Sequence, residues 1–402
     1  MHLYMDIAWW GLLNGSVLVF LSIYASRLGA STFQIGLLTA SPALANLLFT
    51  FPSGMLLGRL SSARATRWSA AFMRIFYALI IPLPVLLPGH IQIWVIIVIS
   101  LLMNIPGTMI AISFNAFFAE TVPPDYRAQI VGTRNALFAA VTMLTSLACG
   151  FVLTHTSFNT GYQIVFAIGF TGAAMSTVHL FLVKPSAEPA PISTAAPELQ
   201  KELASAESAP LRASRTEALR LDIVRGPFGK VLLLIFALQM SIFVISPVIP
   251  IYQVNVLKQT DEVISLGNAV FYIVYFFCSL QTRLLANRHG FQRLTGFGMG
   301  IISIALIVFA YSYQPWIYMI HLSMSGIGWA LINAGQVNFI LERVPVDDRA
   351  PYLAWYNLAN NAALLICGLL GASIAGLLGL FGTLMLAVVL RGVVAAGFWR
   401  RI

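Results

Sequence analysis

Of fourteen acidic side chains in 402 residues, only Asp6 falls inside a long apolar run. An ionisable group in hydrocarbon is costly and points to function by default. Asp6, His321, Arg74 and Arg391 are therefore the candidates for binding or moving a charge. Asp6 or His321 could carry a proton, since an unperturbed imidazole titrates near pH ~6.5. Each also has a plainer role. Asp6 can cap the start of a helix, and His321 can be a hydrogen-bonded packing group. Arg74 and Arg391 stand about two turns from the ends of their runs, close enough to snorkel to the surface. The sharper alternative is that one of them attracts an anion or pairs with Asp6.

Amides and phenols form a second set. Asn14, Asn46, Asn104 and Gln239 lie singly in apolar runs, and Asn333 and Gln336 are three residues apart. Asn268, Tyr272 and Tyr275 fall at i, i+4 and i+7, one helical face. Tyr356, Asn357, Asn360 and Asn361 open a further run. In lipid such groups must find partners and so turn inward. They either hold helices together or hydrogen-bond a neutral or weakly charged solute. Trp9, Trp10, Phe114, Phe243, Tyr252 and Trp329 could wall such a site or face lipid. The chain has no HExxH, no GxSxG and no paired intramembrane aspartates, which argues against an enzyme. Cys149, Cys278 and Cys367 show neither metal-ligand nor disulfide spacing, so no metal or cofactor is expected.

The elements that must position these groups follow from composition. The chain is 59% apolar and 9% charged, against about 25% charged in soluble domains. That excludes soluble domains and disordered chains and leaves an all-α polytopic membrane protein. Twelve segments are predicted: 5–26, 33–57, 69–88, 92–118, 133–155, 162–183, 229–251, 264–285, 294–312, 315–340, 352–374 and 379–398. MHLYMD lacks the basic stretch of a cleavable signal, so the first segment is expected to span. The net charge of +9 sits in short clusters between apolar runs and forms no nucleic-acid groove.

One set of breaks carries Arg59, Arg64, Arg67, Arg127, Arg134, Arg283, Arg288, Arg293, Arg343, Arg349, Arg400 and Arg401, and the middle linker adds seven more basic residues. The opposite set carries only Arg27 and Lys258. This asymmetry predicts that both termini and the linker are cytoplasmic. The linker, 184–228, separates a bundle of six spans at 1–183 from another at 229–402. Its first half is rich in Pro, Ala, Ser and Glu and is read as flexible. Its second half, LRASRTEALRLDIVRG, is either an amphipathic helix on the leaflet or a solvated tether.

The halves repeat. ETVPPDYRAQIVGTRN, from Glu120, aligns with ERVPVDDRAPYLAWYN, from Glu342, at an offset of 222, and seven of sixteen positions are identical. Parallel repeats of this kind place a substrate site between the halves, near the midplane. A second pair of loops reads GMLLGRLSSARATR, from Gly54, and RLLANRHGFQR, from Arg283.

These loops resemble those of the major facilitator superfamily, whose motif G-x-L-a-D-R-x-G-R-R follows the second helix, with a weaker copy after the eighth. Gly54, Leu56 and Arg59 match in the first copy, and Leu285, Ala286, Arg288 and Gly290 in the second. The run Pro124, Arg127, Arg134 is similar to the loop after the fourth helix of that family. The motif's acid is replaced by Gly58 and Asn287, and the proline-glycine pattern that many exporters carry in helix 5 is absent. The resemblance implies a twelve-helix fold that opens to one side at a time. It implies a cavity lined by helices 1, 4, 7 and 10 and flanked by 2, 5, 8 and 11. Asn14, Asn104, Gln239, Asn268, Tyr272, Tyr275, Asn333, Gln336, Asn357, Asn360 and Asn361 are the expected cavity residues. Gly54, Arg59, Glu120, Asp125, Arg127, Asn287, Arg288, Gly290, Glu342, Asp347 and Arg349 are the expected cytoplasmic gate. A monomer carrying a small organic solute is expected, with membrane lipids around it and protons as candidate coupling ions. Export of a neutral or anionic amphiphile is weighed against uptake, or uncoupled passage, of a neutral polar nutrient. A receptor or an intramembrane enzyme is a remote alternative.

Overall fold

A computed structural model describes residues 1–57, 60–183, 220–345 and 349–399. The apolar runs fold as helices because lipid leaves the backbone no other way to satisfy its polar groups. In the first half these are α1 (His2–Arg27), α2 (Thr32–Leu57), α3 (Ser62–Ile80), α4 (Gly89–Thr121), α5 (Pro124–His155) and α6 (Phe158–Leu182). In the second half α7 starts as Phe228–Phe243 and, after a break, resumes at Ile249–Ile251 and Tyr252–Val256. It is followed by α8 (Asp261–His289), α9 (Phe291–Ala310) and α10 (Pro315–Leu341). The last helical stretch, Arg349–Trp399, is two helices joined at Gly379, whose φ of 72° is non-helical. They are α11, residues 349–378, and α12, residues 380–399. The sequence places that boundary only by its glycines, and the positive φ at Gly379 fixes it.

Among the described residues, ten helices are long and apolar enough to cross a membrane by length and composition. Dividing the last of these at Gly379 and counting the interrupted α7 gives twelve segments. Helices α1–α6 pack among themselves, as do α7–α12, and the halves meet where α2 packs on α11 and α5 on α8. Met1 and Trp399 lie at one end of the bundle, the terminal face; the loops after α1 and α7 lie at the other, the distal face.

Each half has its own apolar core. Phe20, Tyr24, Tyr77, Tyr162 and Phe166 fill the distal part of the first half. Phe309, Tyr252, Tyr318 and Leu384 fill the distal part of the second. Ile23, Val254 and Ile264 form a small core shared across the seam. The α2–α11 crossing depends on two glycines. A Cβ at Gly36 would stand 2.1 Å from the Gly368 carbonyl, and one at Gly368 would stand 2.6 Å from the Ala40 Cβ. Such backbone approach is the usual way membrane helices gain contact.

Most of the linker lies outside the described residues. Its end forms a short turn, Leu221–Arg225, with Ile223 buried in the terminal-face core of the second half, beside Phe228 and Leu353.

Candidate functional site

Four amide positions stand at matching depth. Asn14, Asn46, Gln239 and Asn361 lie eleven or twelve residues from the terminal-face ends of their helices. At 1.5 Å per residue that is about 17 Å, near the middle of a hydrocarbon core of about 30 Å. Three of the four pair across the seam. Asn14 Nδ2 donates to the Tyr272 hydroxyl at 3.1 Å and approaches Thr142 Oγ1 at 3.5 Å. Asn46 Nδ2 donates to Asn361 Oδ1 at 3.1 Å, while its own Oδ1 accepts from Thr108 at 2.9 Å. Gln239 Nε2 donates to Asn360 Oδ1 at 2.9 Å within the second half.

The polar seam thus has two arms, one on α1, α5 and α8 and the other on α2, α4, α7 and α11. The backbone helps aim the first arm. Asn14 opens a π-helical turn, Asn14–Leu18, in which the Val19 N–H reaches back to the Asn14 carbonyl. Such single turns rotate a side chain relative to a regular helix.

The other expected cavity residues are distributed around this seam. Asn104 bonds to the Ser100 carbonyl at 2.6 Å and to Ser41 at 3.4 Å, on α4 and α2. Tyr275 accepts from Asn333 at 3.3 Å, and Gln336 donates to Tyr356 at 3.2 Å. The Asn357 carbonyl accepts from Asn361 at 3.0 Å. Asn268 stands apart from these pairs: among the described residues its buried Nδ2 has no protein partner, and the same holds for Ser146 Oγ on α5.

The charged candidates lie elsewhere. Asp6 is 4% exposed in the interior of α1 and caps no helix. Its carboxylate accepts from Arg134 at 3.2 Å and from Ser176, and stands 3.9 Å from Arg74. Arg74 donates to Thr177 at 3.0 Å and lies over the Trp10 ring; Arg134 donates to the Leu3 carbonyl at 2.6 Å and lies over Phe114. Neither arginine snorkels: they are 6% and 7% exposed. Arg134 therefore does not belong with the loop charges, where its place in the sequence puts it. It is a core residue of α5. In the second half Arg391, also 7% exposed, bonds main-chain carbonyls of α7 and α9. His321 Nδ1 lies 2.8 Å from the Ala305 carbonyl, turned to α9.

The distal closure was missed in the sequence. Arg27, at the end of α1, donates to Asp261 at the start of α8 with a 2.9 Å ion pair, and to the Gln259 carbonyl at 2.9 Å. Tyr162 of α6 donates to the same carboxylate at 3.2 Å. Thr39 of α2 and Ser246, in the break of α7, also meet across the halves at 3.4 Å. The available signal was two opposite charges at helix ends on the otherwise charge-poor side.

At the terminal face, Ser62 donates to Glu120, and Arg127 donates to the carbonyls of Val122 and Ala119 at 2.9 and 2.7 Å. Arg343 donates to Gln292 at 2.8 Å and pairs with Glu342 at 3.7 Å. Each of these contacts stays inside one half. Asp125 lies in the first turn of α5, Arg349 opens α11, and Gly290, with φ 80°, makes the turn after Asn287 and Arg288 at the end of α8. Gly54 lies in the last turn of α2, where, among the described residues, a Cβ would meet nothing within 4 Å. Gly58, Arg59, Asp347, Arg400 and Arg401 lie outside the described residues.

Comparison with known proteins agrees with this architecture. The family model of the Major Facilitator Superfamily matches residues 10–363 and again 231–402. An uncharacterized protein of Bacillus subtilis, YqgE, is 22% identical over 165 residues, 41% of this chain and 37% of that one. The chain therefore spans well under two thirds of that relative. Among solved structures, a bacterial homologue of the iron transporter ferroportin in an inward-facing state matches with a TM-score of 0.74 at 12% identity, covering 100% of this chain and 98% of that one. A point mutant of the nucleoside transporter NupG gives 0.70 at 15%, covering 99% and 98%. A D-xylose–proton symporter gives 0.70 at 14%, covering 99% and 95%. At these identities the likeness shows the fold alone. With two six-helix halves, a polar seam between them and a family model covering most of its length, the chain belongs to the major facilitator superfamily: it is a multi-pass membrane transporter of the secondary type and not an enzyme.

Proposed function

We propose that the two-armed amide and phenol seam is the solute site, and that the solute is a neutral or anionic organic molecule carrying several hydrogen-bonding groups. The observation that carries this reading is the pairing of Asn14 with Tyr272 and of Asn46 with Asn361 across the halves at mid-depth. These groups hold one another where a solute would hold them. The orphaned Nδ2 of Asn268, four residues from Tyr272, and the orphaned Ser146 hydroxyl add capacity for a ligand's polar atoms. Charge supports the exclusion of organic cations. Among the described residues, the buried acidic and guanidinium groups of the spans are Asp6 against Arg74, Arg134 and Arg391, a net excess of positive charge.

With the termini in the cytoplasm, as the loop charges favour, the closed distal face is the outer one. The conformation is then inward-facing. The two halves rock about the seam, and the Arg27–Asp261 pair breaks when the outer side opens. Export of an amphiphilic solute fits the apolar surroundings of the site. Uptake, or uncoupled passage, of a polar neutral solute is favoured by the density of amides, and nucleoside and xylose carriers stand among the structural neighbours. Proton coupling has less support: Asp6 is held by two arginines and His321 faces α9.

A thermal-shift screen of the purified protein against neutral and anionic metabolites, followed by counterflow in proteoliposomes, tests the site. Asn14→Ala and Asn361→Ala should each weaken any hit about tenfold, the loss of roughly one buried hydrogen bond. Unchanged affinity in both variants would move the site elsewhere.

A further inference from the structure

Arg391 is a cation buried in mid-span whose partners, among the described residues, are all main-chain oxygens. Its Nε and Nη2 donate to the carbonyls of Ser241 and Ile242, both at 3.2 Å, and its Nη1 donates to the Ile302 carbonyl at 3.1 Å. The first two carbonyls are available because α7 breaks. Its regular ladder stops where the Val244 N–H meets the Met240 carbonyl. The Ser246 N–H turns back only three residues, to Phe243, at 2.9 Å. Pro247 has no N–H to offer. The carbonyls of Ser241 and Ile242 are therefore left at the end of a sixteen-residue helix. Such an end carries a partial negative charge of about half an electron, which a cation stabilises.

We propose that Arg391 is a positioning residue that caps the broken end of α7, allowing the stretch from Val244 to Val256 to swing while the break stays satisfied. The place of the break fits this role. Ser246, just beyond it, touches Thr39 of the opposite half at 3.4 Å, so the break lies on the seam between the halves. A Cβ at Gly371 of α11 would stand 2.2 Å from the Val244 carbonyl, so neighbouring backbone lies directly against the joint. Arginine suits the task because its fork reaches α7 and α9 together. The compact ammonium of a lysine reaches fewer acceptors at once. The cation is thus matched to the helix-end dipole of α7, with one carbonyl from within α9, and this attraction does not need a fixed carboxylate geometry.

The swing rests on the alternating-access reading, but the cap does not, and the test needs no solute. Hydrogen exchange is followed by mass spectrometry on the purified full chain, comparing wild type with Arg391→Met, Arg391→Lys, Pro247→Ala and the Pro247→Ala/Arg391→Met double variant. Arg391→Met should speed exchange at residues 244–250 by about tenfold or more, the equivalent of losing one charge-assisted hydrogen bond. Arg391→Lys should fall in between. Pro247→Ala restores an N–H and favours a continuous helix, in which α7 satisfies its own carbonyls. The double variant should therefore recover towards wild type. Recovery in the double variant also decides the matter if Arg391→Met alone fails to fold. The proposal is overturned if residues 244–250 exchange no faster in Arg391→Met or Arg391→Lys, if the change appears only in α9 and α12, or if Pro247→Ala rescues nothing. A protein that passes this test yet shows no counterflow would keep the cap and lose the transport reading.

Discussion

In the first half Arg74 and Arg134 close on Asp6, with Ser176 and Thr177 completing the cluster. In the second half Arg391 bonds three carbonyls and, among the described residues, no acid. Both arrangements bury arginine in a span, yet they constrain the chain differently. An ion pair in low dielectric is favourable only when its geometry is held, because desolvation has already been incurred. The Asp6 cluster draws on α1, α3, α5 and α6 at once, which favours a half that moves as one body. The carbonyls around Arg391 belong to a helix that is already broken. That favours a half with a joint in it.

The largest expected effect breaks the first arrangement. Asp6→Ala leaves two guanidinium groups buried without their carboxylate. Removing one partner of a buried pair typically costs about 3–5 kcal/mol. The purified protein should lose most of its thermal stability in detergent or fail to appear as a monodisperse species. Asp6→Ala combined with Arg134→Met should recover part of the loss, since it removes one of the stranded charges. Arg391→Met should cost less, about 1–2 kcal/mol, because it removes the cation together with its own burial cost and leaves only carbonyls to be satisfied. If the two single variants lose stability equally, the contrast between the halves is wrong.

A middle-sized effect concerns the contact that joins the halves. The Arg27–Asp261 pair is partly exposed, with side-chain exposures of 22% and 14%, so its worth is nearer that of surface pairs, about 0.2–1 kcal/mol, plus the Tyr162 bond. Asp261→Asn should shift the balance between closed and open distal faces by a few-fold, with little change in thermal stability. Labelling of a Thr39→Cys variant, in a background lacking the three native cysteines, by an impermeant maleimide reports that shift. The charge-reversed pair Arg27→Asp/Asp261→Arg should restore closure. Faster labelling in the reversed pair than in Asp261→Asn would show that the ion pair does not hold the distal side shut.

The fold was legible in the sequence because lipid imposes a simple demand: runs of about twenty apolar residues, broken by charge, proline and glycine. The repeat of ExVPxDxRA was legible because the two copies keep the same spacing. The partners of the polar residues were not. Arg134 lies ten residues into α5, and its neighbours in the chain give no hint that Asp6, 128 residues away, is its partner. The break in α7 was signalled by Pro247 and Pro250. That Arg391 answers it could come only from packing, because the match is between a side chain and freed main-chain carbonyls. Asn14 and Tyr272 were each readable as inward-facing. Their mutual bond crosses the two halves and so required the assembled molecule.

The smallest structural effect is expected at that bond, and it separates architecture from recognition. Polar contacts between membrane helices are worth about 0.6 kcal/mol on average. Tyr272→Phe keeps the ring that packs edge-to-face on Phe271 and removes only the hydroxyl that accepts from Asn14. Thermal stability should therefore change by less than about 1 kcal/mol, well below the loss at Asp6. Solute binding should respond more strongly, because the missing hydroxyl would leave Asn14 or the ligand short of a hydrogen-bond partner. A variant as stable as the parent but several-fold weaker for its solute assigns the seam to recognition. Equal losses in stability and affinity would make Asn14 and Tyr272 part of the same structural glue that Asp6 supplies to the first half.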